Sequence, residues 1–431
     1  STLEQGVSMR LILLRRNLQL YVAGRRMSYS KLRRLREVWR QLPGVVAWLA
    51  TSHPAAGHWR RLLAAFLPTL LLAACVSAAS WEATRLLQDI DAAGGPSTLK
   101  ERTPAPQRAT LRYEVNGRRG LADLYEPGPS PGGALVLVPG FTEQGRNDWR
   151  VVELARSLAR ARFLVMVPEV PGSRQLRLRP EDSRDIADAV IELRRLHPEV
   201  AERGLGVAAI SYAVGLAVLA ALELEERSPV DFLVGVGGYY ASRAVVTFAT
   251  TGHYREPGAA TWQRGRPLAA AKWIFLASNA VVLDDPADRR RLEAIGRDCY
   301  DGCDIDAAAL SAGLGPEARA LFDLAANEDP ARIPDLLAAL PPRVTARMEF
   351  LSLSRRDLSA LRGKLILIHG RLDPLIPYSE SLALGAAVPG SEVFVIDGFS
   401  HITPRGVGWA GQLQLVSAIQ AVLDRRAPDG G

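Results

Sequence analysis

The sequence predicts an α/β fold, a mostly parallel eight-stranded sheet flanked by helices and carrying a helical insertion. Three observations lead to it. Short apolar runs of the kind buried on both faces of a sheet alternate with stretches of helical length. An Asn-Gly pair, Asn116-Gly117, joins two alternating segments, ATLRYEV and GLADLYEP, and so predicts an antiparallel hairpin at the start. The alternation then breaks once, over more than a hundred residues rich in Ala, Leu and Arg.

After the hairpin, strands are expected at 134–138, 163–167, 205–210, 232–236, 365–368 and 393–396. Helices are expected between them at 151–161, 183–196 and 215–225. This order implies parallel strands linked by crossover helices. The break between 236 and 365 is expected to hold helices near 262–277, 285–297, 316–326 and 333–340. Together they would form a cap over residues 240–350 of a domain spanning 108–431.

Composition narrows the function. The chain has 431 residues, 48% hydrophobic and 23% charged, which excludes a disordered, collagen-like or polytopic membrane protein. Three cysteines exclude a disulfide-built scaffold and a multi-cysteine zinc module. The net charge of +7 is unevenly placed. Of 53 Lys and Arg, 12 fall in residues 1–61, against 2 of the 46 Asp and Glu. That stretch therefore carries +10 and the rest −3, so the body has no electrostatic basis for binding nucleic acid.

The leader, residues 1–75, ends in Arg60-Arg61, an apolar run over 62–74 and Cys75. The run is too short to span a bilayer and has the length of a signal-peptide core. Leu72-Ala73-Ala74-Cys75 resembles the bacterial lipobox. That resemblance implies a lipid-modified Cys75 anchoring the protein on the periplasmic side of a bacterial envelope. The basic stretch before the arginines is long for such a signal. An over-extended gene start would account for it, and so would a genuine cytoplasmic segment, with a cytoplasmic enzyme as the alternative location. Residues 76–107, with their Ser, Ala, Gly, Pro and charges, are expected to be a flexible tether.

Three segments fall at the ends of expected strands, where open α/β sheets place their ligands. They are Val-Pro139-Gly140-Phe141, Ala209-Ile-Ser211-Tyr212-Ala213, and the pair His369-Gly-Arg-Leu-Asp373-Pro and Asp397-Gly-Phe-Ser-His401. In this order they resemble the α/β-hydrolase fold family over about residues 109–425. The resemblance implies a nucleophile at Ser211 on a strand-to-helix turn, an acid at Asp373 and a base at His401. It also implies an oxyanion hole made by the backbone amides of Phe141 and Tyr212. Alanine stands at 209 and 213, where the family has glycine. His369 reads as a packed structural residue, and Asn147 and Asp148 as caps of the following helix.

Cys299 and Cys303 flank a short Gly-containing turn and could form a disulfide in an oxidising compartment. Neither they nor Asp301, Asp304 and Asp306 match a metal-ligand spacing, and no metal or organic cofactor is implied. The expected activity is hydrolysis of an ester or related acyl bond in a small-molecule substrate, through an acyl-enzyme on Ser211. Acyl transfer or peptidase action by the same residues stays open, as does a non-catalytic binding protein on this scaffold.

Overall fold

Helices α1 (Ala78–Ala92) and α2 (Thr98–Arg102) occupy the stretch expected to be a flexible tether, and this expectation is corrected. The computed structural model describes residues 78–128, 130–226, 228–300, 306–401 and 407–427. The leader with Cys75, and Cys303, lie outside the described residues. Small and charged residues read as linker, yet they also make an amphipathic helix once a surface is available to cover. Ala83, Leu86 and Leu99 join the apolar cluster under the sheet. Asp89 is fully buried and accepts hydrogen bonds from Ser97, Ser157 and Lys100. Both carboxylate oxygens of Glu82 take the Arg426 guanidinium at 2.8 Å. Leu86, 1% exposed, gives the test. Leu86→Ala is expected to lower stability by about 2–4 kcal/mol in urea unfolding, whereas a tether residue would change nothing.

Strands β1 (Gln107–Val115) and β2 (Arg118–Glu126) form the expected hairpin. Asn116 and Gly117 take φ of 51° and 76°, the left-handed pair of a type I′ turn. The chain then runs through β3 (Gly133–Val138), α3 (Trp149–Arg160), β4 (Phe163–Pro168), α4 (Asp182–Leu196), β5 (Leu205–Ile210), α5 (Ala213–Leu224) and β6 (Phe232–Val236). After the insertion come β9 (Leu365–Gly370), α12 (Ser379–Ala387), β10 (Glu392–Ile396) and α13 (Trp409–Leu423). The eight-stranded sheet has the order β1-β2-β4-β3-β5-β6-β9-β10. Within this sheet, among the described residues, only β1–β2 and β2–β4 pair antiparallel. Side chains alternate between two apolar clusters, Val136 and Val138 on one face and Leu135 and Leu137 on the other. Covering both faces explains why these strands read as unbroken apolar runs.

The insertion between β6 and β9 contains α6 (Ser242–Thr251), the two-residue strands β7 (His253–Tyr254) and β8 (Gln263–Arg264), α7 (Ala270–Ala280), α8 (Pro286–Asp298), α9 (Pro316–Ala326), α10 (Ile333–Ala338) and α11 (Pro342–Leu351). Trp273, Leu276, Leu292, Leu321, Phe322 and Val344 form its own apolar cluster. The helix expected over 262–277 starts only at Ala270. Gly265 and Pro267 interrupt it, and Trp262 instead takes the Arg255 guanidinium 3.8 Å over its ring. Cys299 is disulfide-bonded.

Candidate active site

Ser211 follows the last residue of β5 and precedes α5, and its φ is +60°. A residue with a Cβ reaches this left-handed region only at a cost, so surrounding contacts must hold it. Its amide donates to Val236 O at 2.7 Å, and its carbonyl accepts from Val214 N at 3.1 Å in the first turn of α5. The turn forms with buried Ala209 and Ala213 on either side. Room for it is made opposite, at Gly140, where a Cβ would stand 3.3 Å from Ser211 Cβ.

Asp373 and His401 come from the loops after β9 and β10, which pair in parallel. His401 Nδ1 lies 2.6 Å from Asp373 Oδ2. A carboxylate only accepts, so Nδ1 is the donor and carries a proton. The other oxygen, Oδ1, accepts from Leu375 N at 2.8 Å and Ile376 N at 3.0 Å. Burial raises the pKa of Asp373, but the hydrogen bonds from His369 and His401 outweigh it, and the carboxyl stays well below its usual range. Gly237 joins this pair to the serine. It follows Val236, the acceptor of the Ser211 amide, and takes φ +63°. A Cβ there would stand 3.1 Å from His401 Nδ1 and 3.3 Å from Asp373 Oδ2, so only glycine lets the imidazole approach this corner.

Phe141 and Tyr212 also meet. Their rings stack with centroids 3.8 Å apart at 23°. Among the described residues, neither backbone N–H makes a hydrogen bond, which leaves two donors unused beside Ser211. The loop carrying Phe141 is pinned by a residue that sequence reading passed over. Ser173 donates from its hydroxyl to Gly140 O and accepts from Thr142 N at 3.2 Å through its carbonyl. Asp148 caps α3 as expected, accepting from Arg150 N at 2.9 Å and from the Thr142 hydroxyl at 2.6 Å. The Arg150 guanidinium holds its carboxyl down at about 2. Asn147 does not cap; it accepts from Arg108 at 2.6 Å.

His369 touches the acid rather than merely packing. It is fully buried, with Nε2 2.9 Å from Ile376 O and 3.3 Å from Asp373 Oδ2, and Nδ1 2.7 Å from the Ser381 hydroxyl. The Ile376 carbonyl can only accept, so Nε2–H donates to it, with the Asp373 carboxylate alongside, and Nδ1 accepts from Ser381. The i, i+4 spacing of His369 and Asp373 was the available signal. The remaining body histidines stand elsewhere: His253 lies on the cap hairpin, 2.9 Å from Thr251 O, and His197 follows α4.

Asp182 is a second missed residue. It is fully buried, with Oδ1 accepting from Gly172 N at 3.3 Å and Oδ2 without a hydrogen-bond partner among the described residues. Burial, only partly offset by Arg179, pushes its carboxyl up to about 7. The folded chain therefore holds this proton more tightly than an unfolded chain, whose carboxyl titrates near about 4. Its contribution is fully present below about pH 4 and is lost as pH rises to about 7. Asp182→Asn keeps the acceptor for Gly172 and removes the buried charge. The variant is expected to exceed wild type by about 1–3 kcal/mol at pH 8 and to converge with it near pH 4, in denaturant titrations at both pH values.

No protein-family model matches the chain, and no curated protein matches its sequence. Solved structures do resemble it. An acylaminoacyl peptidase superposes with a TM-score of 0.43 at 13% identity, over 77% of this chain. An arylesterase gives 0.41 at 14% identity, over 75% of this chain and 85% of its own. A hyperthermophilic esterase from Pyrobaculum calidifontis gives 0.39 at 16% identity, over 80% and 90%. The chain spans only 44% of the peptidase's length. These likenesses concern architecture. The strand order, the parallel sheet covered on both faces, the turn at Ser211 and the helical insertion after β6 are those of the α/β-hydrolase fold.

Proposed function

We propose that this protein is a serine hydrolase cleaving an ester or related acyl bond of a small-molecule substrate. The observation that carries the reading is the 2.6 Å bond from His401 to Asp373 at Gly237, the residue after the Val236 carbonyl that holds the amide of a serine at φ +60°. Ser211 Oγ attacks the acyl carbonyl while His401 Nε2 takes its proton. The tetrahedral oxyanion is received by the amides of Phe141 and Tyr212. The imidazolium, stabilised by Asp373, returns the proton to the leaving oxygen, and the acyl-enzyme forms. Water, deprotonated by His401, then releases the acid and restores Ser211. Half-buried Phe141, stacked on Tyr212, and half-buried Leu375, whose amide is held by Asp373, support an apolar acyl site.

A fluorophosphonate, which reacts only with activated serines, tests the reading. Wild type is expected to be labelled, Ser211→Ala not at all, and His401→Ala at least about 100-fold more slowly. A folded wild type that stays unlabelled would remove the proposal and favour a binding role for the scaffold.

We further propose that Cys75 carries a lipid anchor that holds the protein on the periplasmic side of a bacterial envelope. The Leu-Ala-Ala-Cys sequence and the basic flank support it. The bonded state of Cys299 fits an oxidising compartment. Palmitate labelling in cells should be lost in Cys75→Ala, and an unlabelled wild type would sink the anchor.

A further inference from the structure

The loop that carries the acid runs from Arg371 to Tyr378, between β9 and α12. Leu375 and Ile376, whose amides Asp373 Oδ1 holds, lie between Pro374 and Tyr378. The cap grips the loop at these two ends. Leu268 N, beyond β8, donates to Pro374 O at 2.7 Å, and Tyr378 Oη donates to Glu256 Oε1, beyond β7. The Tyr254 ring of β7 meets the Tyr378 ring edge-on, with centroids 5.7 Å apart at 71°.

Both grips come from one hairpin. Strands β7 and β8 pair His253 with Arg264 and Tyr254 with Gln263. The base is closed by Gly265 N, which donates to Gly252 O at 2.8 Å, and a Cβ on Gly265 would stand 2.7 Å from the Phe248 ring. An isolated two-stranded hairpin is marginal in water, so its docking partner decides where it sits. Here that partner is the acid loop.

Tyr378 also reaches toward the base. The Arg371 guanidinium lies 4.9 Å over its ring and pairs with Asp397, and Arg371 N donates to Ile396 O at 3.0 Å. Asp397 opens the loop that carries His401. The Arg371–Asp397 pair is exposed and contributes little by itself. Tyr378 is buried, and its hydroxyl donates to a charged acceptor, the stronger kind of hydrogen bond. Cap hairpin, acid loop and base loop therefore meet at this one tyrosine.

We propose that the cap hairpin latches the catalytic triad, with Tyr378 and Glu256 as positioning residues that keep Asp373 on His401. The inference rests on the serine-hydrolase reading and makes the cap part of the triad's assembly.

Proton NMR and ester turnover test it on wild type, Tyr378→Phe, Glu256→Leu, Glu256→Gln, and Tyr378→Phe combined with Glu256→Leu. In wild type the His401 Nδ1–H, bonded to Asp373 at 2.6 Å, is expected to give a downfield signal that exchanges slowly with water. Tyr378→Phe keeps the ring contacts and removes only the hydroxyl. It should speed that exchange and lower kcat by about 10-fold each, the contribution of one hydrogen bond to a charged group, with KM unchanged. Glu256→Leu should match it. Glu256→Gln keeps an acceptor for the hydroxyl and should restore most of both. The combined variant should lose no more than either single one, because the same bond is removed in all three. A wild type without the signal, or a signal or kcat that Tyr378→Phe does not move, overturns the proposal. Losses that add in the combined variant overturn it as well. A wild type that shows the signal without turnover removes the hydrolase reading alone. Faster exchange in Tyr378→Phe would then still uphold the latch, and an unmoved signal would overturn it.

Discussion

Ser211→Gly is expected to give a folded protein that is inactive yet more stable than wild type. The serine sits at φ +60°, a conformation that costs a residue with a Cβ about 1–3 kcal/mol. Glycine escapes that cost and gives back about 0.5–1 kcal/mol through its larger unfolded-state freedom, so a net gain of about 1 kcal/mol remains. Ser211→Ala retains the Cβ and the strain and should show no such gain. Both variants lose the attacking oxygen, and turnover should fall by about 10⁴- to 10⁶-fold. Urea midpoints and ester turnover on the three proteins measure both effects. A glycine variant less stable than the alanine variant would mean that this backbone is not strained. Residual turnover within tenfold of wild type would remove Ser211 as nucleophile.

The elements that sequence reading located best are those with one dominant cause. The strands β3 to β6 and β9 are dominated by apolar residues because helices cover both faces, and such runs stand out in any sequence, whereas the edge strand β10 is only half-buried. Asn116-Gly117 announces its turn because few other pairs tolerate two left-handed residues. The order of Ser211, Asp373 and His401 was legible for a related reason, since each follows its own apolar strand.

What escaped depends on groups distant in sequence. Helix α1 looks like linker until Asp89 finds Ser157 on α3 and Glu82 finds Arg426 beyond α13. Ala209 and Ala213 weaken the serine motif on paper, because the space that matters is provided by Gly140 from another loop. Ser173 and Asp182 carry no local signal at all; only the fold brings the first to Gly140 and the second into burial. His369 is the intermediate case, visible as a spacing but not as a donor to the acid.

Asp373→Asn is expected to lower kcat by about 10⁴-fold while leaving the fold in place. The carboxylate uses both oxygens as acceptors. Oδ1 holds the amides of Leu375 and Ile376, and Oδ2 takes His401 Nδ1, with His369 Nε2 approaching at 3.3 Å. Asparagine supplies only one acceptor. If its oxygen keeps the two loop amides, its NH₂ faces His401 and forces Nδ1 to accept. The imidazole proton then sits on Nε2, where the lone pair for the Ser211 proton is needed. The same NH₂ confronts Nε2–H of His369, donor against donor, so stability falls as well. That loss has a pH signature. The Asp373 carboxyl is held below its unfolded value, so the stability it contributes is fully present above about pH 4 and is lost as pH falls through the folded pKa. Wild type and Asp373→Asn should therefore differ most at neutral pH and draw together in acid, the reverse of the Asp182→Asn comparison. A variant retaining turnover within tenfold of wild type would assign the acid's work to another group. A stability gap that is constant from pH 7 to pH 3 would mean that the carboxylate is not held ionised by its two histidines.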